Sequence, residues 1–282
     1  MSDRHALVLG GGGVAGIAWT TGLLAGLAEA GDRVTDADRI IGTSAGATVA
    51  AQVGSGLPLP DLYARQVNPA LQSAELNADI DLEQFAAEMT VVLADATSPA
   101  DTLRHIGQYA LEAATVPEAS RRAVIESRLP SHDWPVRTLQ LVAVDAQTGV
   151  MRIFDARSGA SLVDAVAASC AVPGIWPPAT IGGRRYIDGG VRSSDNADLA
   201  AGAERVTIIS PIGYDSAFPS ALPLRDVVAR LRDTGSVVTV VCPDASSRAA
   251  VGANPLSPAT RVPAARAGLA QGQAGLAANA VD

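Results

Sequence analysis

Lysine is missing altogether: all 21 positive side chains among the 282 residues are arginines. A Schiff-base lysine and the phosphate-binding lysine of a P-loop are therefore excluded before any motif is weighed. Cysteine occurs only twice, at 170 and 242, too few and too far apart for a zinc ribbon or a disulfide framework. Buried, reduced thiols are expected instead. The three histidines, at 5, 105 and 132, have no HExxH or paired-carboxylate spacing around them, so neither a metal nor a cofactor is expected. A formal net charge of -8 and an isoelectric point near 4.9 argue against nucleic acid as a partner and against polybasic recruitment to anionic lipid.

Charge is also absent from Ala6 to Ala28, with Arg4 just before, which raises a signal peptide or a membrane span. The four consecutive glycines at 10 to 13 would break either helix, and Ala6-Leu7-Val8-Leu9 reads better as a buried strand. No transmembrane segment and a cytoplasmic location are expected. With 48% hydrophobic residues the chain can bury a full core, and no linker of changed composition divides it. One α/β domain over residues 1–282 is the expectation.

What the sequence does contain is Gly42-Thr43-Ser44-Ala45-Gly46, a G-x-S-x-G between the apolar pair Ile40-Ile41 and the alanine-rich run from Ala47 to Ala51. That pattern suits a sharp strand-to-helix turn, with glycines allowing close chain crossing and an exposed serine hydroxyl. Ser44 is the candidate nucleophile. The alternative is a glycine-rich turn whose serine merely caps the following helix.

Hydrophobic periodicity predicts a strand at His5–Leu9, a loop at Gly10–Gly13, a helix at Gly16–Ala30 and a strand at Asp36–Ile41 parallel to the first. From Pro58 to about Arg128 helices dominate, among them Leu82–Leu93 and Thr102–Ala114, and this stretch reads as a helical insertion over one side of the sheet. Leu82, Phe85, Met89 and Val92 share a helical face that either lines an acyl channel or packs as core. Strands follow at Thr138–Asp145 and Gly149–Phe154, a helix at Leu162–Ala168, an ordered loop at Ser169–Pro178 and a strand at Arg185–Ile187 ending in Asp188-Gly189-Gly190. Val206–Ser210 and Val237–Cys242 are strands around a helix at Leu224–Thr234, and the tail from Ala264 is expected to be helical first and frayed last.

Serine attack on an acyl carbon creates an oxyanion that needs preorganised N–H donors, and Gly11, Gly12 and Gly13 after a buried strand are the candidates. The same glycines, as Gly11-x-Gly13-x-x-Gly16 with Asp36 about twenty residues on, also fit a dinucleotide fingerprint. A phosphate- or nucleotide-binding protein without catalysis is thus the alternative function. The serine needs a base. Asp188 closes a strand before two glycines and is the candidate, with an ordinary Asp-Gly turn as the plain alternative. The three histidines lack such a setting, and none follows Asp188 as an ordinary α/β-hydrolase order would require.

Together these motifs resemble the patatin-like phospholipase family, which carries a glycine-rich loop, a G-x-S-x-G elbow and a D-G-A/G motif in that order. Here they are Gly11–Gly16, Gly42–Gly46 and Asp188–Gly190, and Ala168–Pro178 resembles the family's Ala-Ser-x-Ala-x-Pro-x-x-Phe-x-Pro stretch. The likeness spans about residues 5 to 200. It implies a three-layer α/β/α fold with a mostly parallel sheet, and a Ser44–Asp188 dyad hydrolysing acyl esters of phospholipids, lysophospholipids or neutral lipids, including lipid at a membrane surface. Two positions depart from the pattern. Ala15 stands where family loops commonly carry Arg or Lys, so any role of that cation is absent or supplied elsewhere. Asn196 is followed by Ala197 and Asp198 rather than reaching a proline.

Overall fold

The computed structural model describes residues 4–78, 82–214 and 222–281. The strand β1 (His5–Leu9) runs through a glycine loop into the helix α1 (Gly13–Glu29), and β2 (Arg39–Thr43) turns at Ser44 into α2 (Ala45–Gly54). Four helices follow: α3 (Leu59–Val67), α4 (Leu82–Leu93), α5 (Pro99–Glu112) and α6 (Glu118–Arg128). The strands β3 (Thr138–Asp145) and β4 (Met151–Phe154) form a hairpin, followed by α7 (Leu162–Ser169), β5 (Ala179–Ile181) and β6 (Arg184–Asp188). The chain closes with β7 (Arg205–Ile209), α8 (Leu224–Asp233), β8 (Val237–Val241), α9 (Ala245–Val251), α10 (Arg261–Gly272) and the short β9 (Ala280–Val281).

The sheet order is β5-β6-β3-β2-β1-β7-β8-β9, with β4 pairing β3 off this path. β3, β2, β1, β7 and β8 are mutually parallel, while β4, β5, β6 and β9 run against their neighbours. Alternation along β1 splits the core into two. Leu7 and Leu9 enter a cluster with α1, α2, α7 and α10, whereas Ala6 and Val8 join Val206, Ile208 and the α8 residues Val227 and Leu231 on the other face. The fold is therefore α/β, with a mostly parallel sheet between helical layers.

The uncharged stretch after Arg4 is explained by burial from every side. Residues Val14 to Leu27 of α1 are all buried, between the sheet and α10. The two helices cross at backbone distance, since a Cβ on Gly22 would lie 2.1 Å from the Ala265 carbonyl oxygen. No helix among the described residues is long and apolar enough to cross a membrane.

Besides shifts of two or three residues, as in α5 and β4, three element boundaries depart from the sequence reading for a local reason. α1 begins at Gly13, inside the glycine run, because Gly13 adopts φ 65° and the Ala15 N–H is capped by the Pro255 carbonyl (2.9 Å). Val34–Asp36 is a 3-10 turn, and the strand starts only at Arg39. Ala280–Val281 does not fray but pairs with β8, on an edge that no other strand covers among the described residues.

Candidate active site

Ser44 sits at the carboxyl end of β2 with φ 54° and ψ -116°, one of two non-glycine residues at positive φ among the described residues. Such a backbone costs about 1–3 kcal/mol and persists only where its surroundings over-determine it. Here they do. The Ser44 N–H donates to Ser169 Oγ (2.9 Å), whose own hydroxyl donates to the Val142 carbonyl (2.6 Å), and Cys170 Sγ donates to the Ser44 carbonyl (3.1 Å). The flanking glycines are sterically required, because a Cβ on Gly46 would meet the Leu9 carbonyl oxygen at 1.9 Å and one on Gly42 the Ala47 Cα at 2.7 Å. The Ser44 side chain makes no capping hydrogen bond to α2, which removes the reading of this serine as a mere helix cap.

The register of β3 brings Asp188 to it. β3 pairs β2 through Thr43↔Val142, and from Ala143 onward pairs β6 through Ala143↔Asp188. Because β4 holds the other edge of β3 over Leu141–Val144, β2 and β6 share one edge and meet end to end. The last residue of β6 thus faces the residue just after β2. The Asp188 N–H donates to the Ala171 carbonyl (3.0 Å), and its Oδ1 accepts from the Gly190 N–H (2.7 Å). Oδ2 is buried and has no hydrogen-bond partner among the described residues. Burial pushes the carboxyl up to about 6, opposed by the Ser44 hydroxyl, the Gly190 N–H and the Arg121 cation, which favour the charged form. The Ser44 hydroxyl is thus close enough to act on the carboxylate without a completed hydrogen bond, as often happens in an unliganded site.

The glycine loop corrects one expectation. Gly11 already donates its N–H to the Ser194 carbonyl (2.8 Å), so it has none to offer an oxyanion in this arrangement. The N–H groups of Gly12, Gly13 and Ala45 have no acceptor among the described residues, and Gly13, Ser44 and Ala45 border the same cavity. Asn196, at φ 50° and fully buried, fixes the turn after Asp188 without any proline. Its Nδ2 donates to Ser193 O (2.8 Å), Thr43 Oγ1 (3.0 Å) and Gly189 O (3.2 Å), linking that turn to the end of β2.

The histidines stand elsewhere. His5 is buried at the opposite end of β1, against Thr207 Oγ1 (3.0 Å); His105 is paired with the Val92 carbonyl (3.2 Å); His132 is exposed beside Glu126. Asp36 pairs with Arg33 (2.6 Å) ahead of β2, at the far end of the sheet from the glycine loop, so it is not placed as the acidic partner of a dinucleotide ribose. The acyl-channel reading of α4 also meets a correction. Neither Phe85, Met89 nor Val92 borders the Ser44 cavity; α4 packs on α5, and Val92 joins the cluster around Ile106 and Ala110. The Leu82 side chain lies outside the described residues.

What periodicity and motif spacing did not reveal is the far wall of the cavity. Arg121 and Arg128 come from α6 and Trp176 from the proline-rich loop, so the cations that border the cavity are carried by an element distant in sequence from the glycine loop.

A family model of patatin-like phospholipases matches residues 7–201. The chain belongs to the patatin-like phospholipase family. The matched stretch of this patatin-like chain holds the glycine loop, Ser44, α6 and Asp188, and ends before β7. Among solved structures it is similar to VipD from Legionella pneumophila, at 13% identity and TM-score 0.45, covering 99% of this chain and 67% of that one. It is also similar to the type III effector protein ExoU, at 14% identity and TM-score 0.43, covering 100% of this chain and 54% of that one. The patatin-like chain thus spans about half the length of the second. No curated protein matches it.

Proposed function

We propose that this patatin-like chain is a serine lipid acyl hydrolase, a single-domain enzyme that cleaves carboxylic esters of phospholipids, lysophospholipids or neutral lipids through Ser44 and Asp188. The observation that carries the reading is a buried Asp188 carboxyl, one oxygen unpartnered among the described residues, acted on by the hydroxyl of a serine held at strained φ. Ser44 Oγ attacks the acyl carbon as its proton passes to Asp188 Oδ2, and the N–H groups of Gly12 and Gly13, with that of Ala45, receive the oxyanion. On collapse the proton goes to the departing alcohol, leaving the acyl group on Ser44. Water then attacks that ester while Asp188 takes its proton, and free acid and enzyme are regenerated.

A carboxyl near 6 suits both halves of this cycle, being ionised at neutral pH yet basic enough to accept a proton. The cavity holds only about 20 Å³ of open space, room for roughly one water, so an acyl chain enters by displacing wall side chains such as Leu76 and Leu256. Lipid at a membrane surface would supply the chain. The two cysteines, Cys170 and Cys242, form no disulfide among the described residues, which fits a reducing, cytoplasmic setting.

Labelling with a fluorophosphonate tests the proposal. Covalent modification of the wild-type protein and its loss in Ser44→Ala is the expected result; labelling that persists in Ser44→Ala would overturn it. Ester hydrolysis across acyl-chain lengths and head groups then sets the substrate range.

A further inference from the structure

Arg121 and Arg128 border the Ser44 cavity, and Arg261 stands behind it on the far side of Glu75. Glu75 accepts from Arg128 Nε (2.9 Å) and Nη2 (2.5 Å), and from Arg261 Nη2; Arg261 also donates to the Ser73 carbonyl (3.0 Å). That pairing consumes the charge of Glu75. Arg121, seven residues before Arg128 and so on the same side of α6, donates no hydrogen bond to Glu75 and feels Glu75 and Asp188 through space.

Arg121 is only 7% exposed, and its guanidinium lies 3.9 Å over the ring centroid of Trp176. The stacking is a real attraction, but it leaves the in-plane N–H groups free to act. Two of its buried nitrogens, Nε and Nη1, have no acceptor among the described residues, and neither has the indole Nε1 of the 4% exposed Trp176. Arg121 and Trp176 both border the cavity that holds Ser44. Burial and the neighbouring Arg128 lower the guanidinium only to about 10, so it is still a cation at neutral pH. A buried, charged fork with empty donors is costly unless an acceptor completes it, and a planar fork matches a phosphate or carboxylate.

We infer that Arg121, assisted by the Trp176 indole N–H, is a binding subsite for the acidic group of the substrate, so that the preferred esters carry a phosphate or carboxylate near the scissile acyl bond. The inference rests on the hydrolase reading above for its choice of ligand. Binding can be measured without any turnover. The full-length Ser44→Ala protein is titrated calorimetrically, below micelle-forming concentrations, with dodecyl phosphate, dodecanol and inorganic phosphate.

Dodecyl phosphate is expected to bind about tenfold or more tighter than dodecanol, the scale of charge-assisted hydrogen bonds. Arg121→Gln should erase most of that ratio, and Arg121→Lys should restore part of it. Melting curves confirm folding, and if Arg121→Gln does not fold, the Arg121→Lys protein, keeping the charge without the fork, carries the test by a partial fall in the ratio. Equal binding of phosphate and alcohol, a ratio unchanged in the foldable variants, or inorganic phosphate binding as tightly as dodecyl phosphate would each overturn the subsite. The failures are separable. Phosphate-selective binding through Arg121 without Ser44-dependent hydrolysis removes the hydrolase and keeps the subsite; hydrolysis without selective binding does the reverse.

Discussion

Two aspartates, Asp188 and Asp195, lie on one turn seven residues apart, both almost fully buried and each with one unpartnered oxygen. Burial raises both, Asp188 to about 6 and Asp195 to about 7. Their surroundings differ. Asp188 faces a nucleophile candidate, takes a backbone N–H from Gly190 and feels the Arg121 cation. Among the described residues Asp195 has only the Ser210 hydroxyl to favour its charge, and it lies beneath the glycine loop, where a Cβ on Gly10 would come within 2.1 Å of its Oδ1. A perturbed carboxyl is thus not by itself a sign of catalysis; what sits opposite its free oxygen decides.

Exchanging the carboxyls for amides should break the comparison most sharply. Asp188→Asn, like Ser44→Ala, is expected to lower ester kcat/KM by roughly a thousandfold or more with an unchanged melting curve, the double variant being little worse than either. Asp195→Asn should stay within about threefold of wild type, well inside the range of an indirect effect. Activity surviving in Asp188→Asn and lost in Asp195→Asn would mean that the base is the other aspartate.

The glycine against each carboxyl separates them by a second route. Gly190→Ala would bring a Cβ to 2.9 Å from Asp188 Oδ1 and disturb the bond that orients it, so kcat should fall about tenfold with little loss of stability. Gly10→Ala, driven into Asp195, should instead cost about 1–3 kcal/mol of stability in urea denaturation.

Acidity gives a smaller effect. If Asp188 is the base, kcat/KM should fall with a limb of about tenfold per pH unit below a midpoint near 6, because only the ionised carboxylate accepts the proton. A flat profile down to pH 4 would exclude it.

The smallest effect falls on stability alone. Asp195 has a folded pKa of about 7, above its unfolded value near 3.8. Between these the folded state binds more protons than the unfolded, so this group's contribution declines as pH rises from about 4 to about 7 and is level above. Asp195→Asn removes the ionisation, and should gain on the order of 1–2 kcal/mol at pH 8 and less at pH 5. Equal gains at both would show that the group does not titrate as burial implies.

Local patterns made much of this legible. The succession from β1 through the glycine loop and α1 to β2 and Ser44 could be read because each step leaves a mark in adjacent residues: an apolar run, glycines where chains touch, helical spacing. The hairpin of β3 and β4 was equally plain, since its turn lies between two apolar runs. Asp188 stood out by its two glycines. Asp195, in a polar run with no punctuation, did not.

The sequence by itself determined the elbow, whose glycines admit no Cβ, and the absence of lysine from every part of the chemistry. Only the tertiary structure decided that Asp188 meets Ser44, because that depends on β2 and β6 sharing an edge of β3. It also decided that Gly11 spends its N–H on Ser194, and that Arg121 of α6 borders the cavity that holds Ser44. These contacts join residues far apart in the chain, and a long-range pairing imposes no period or spacing on the residues nearby.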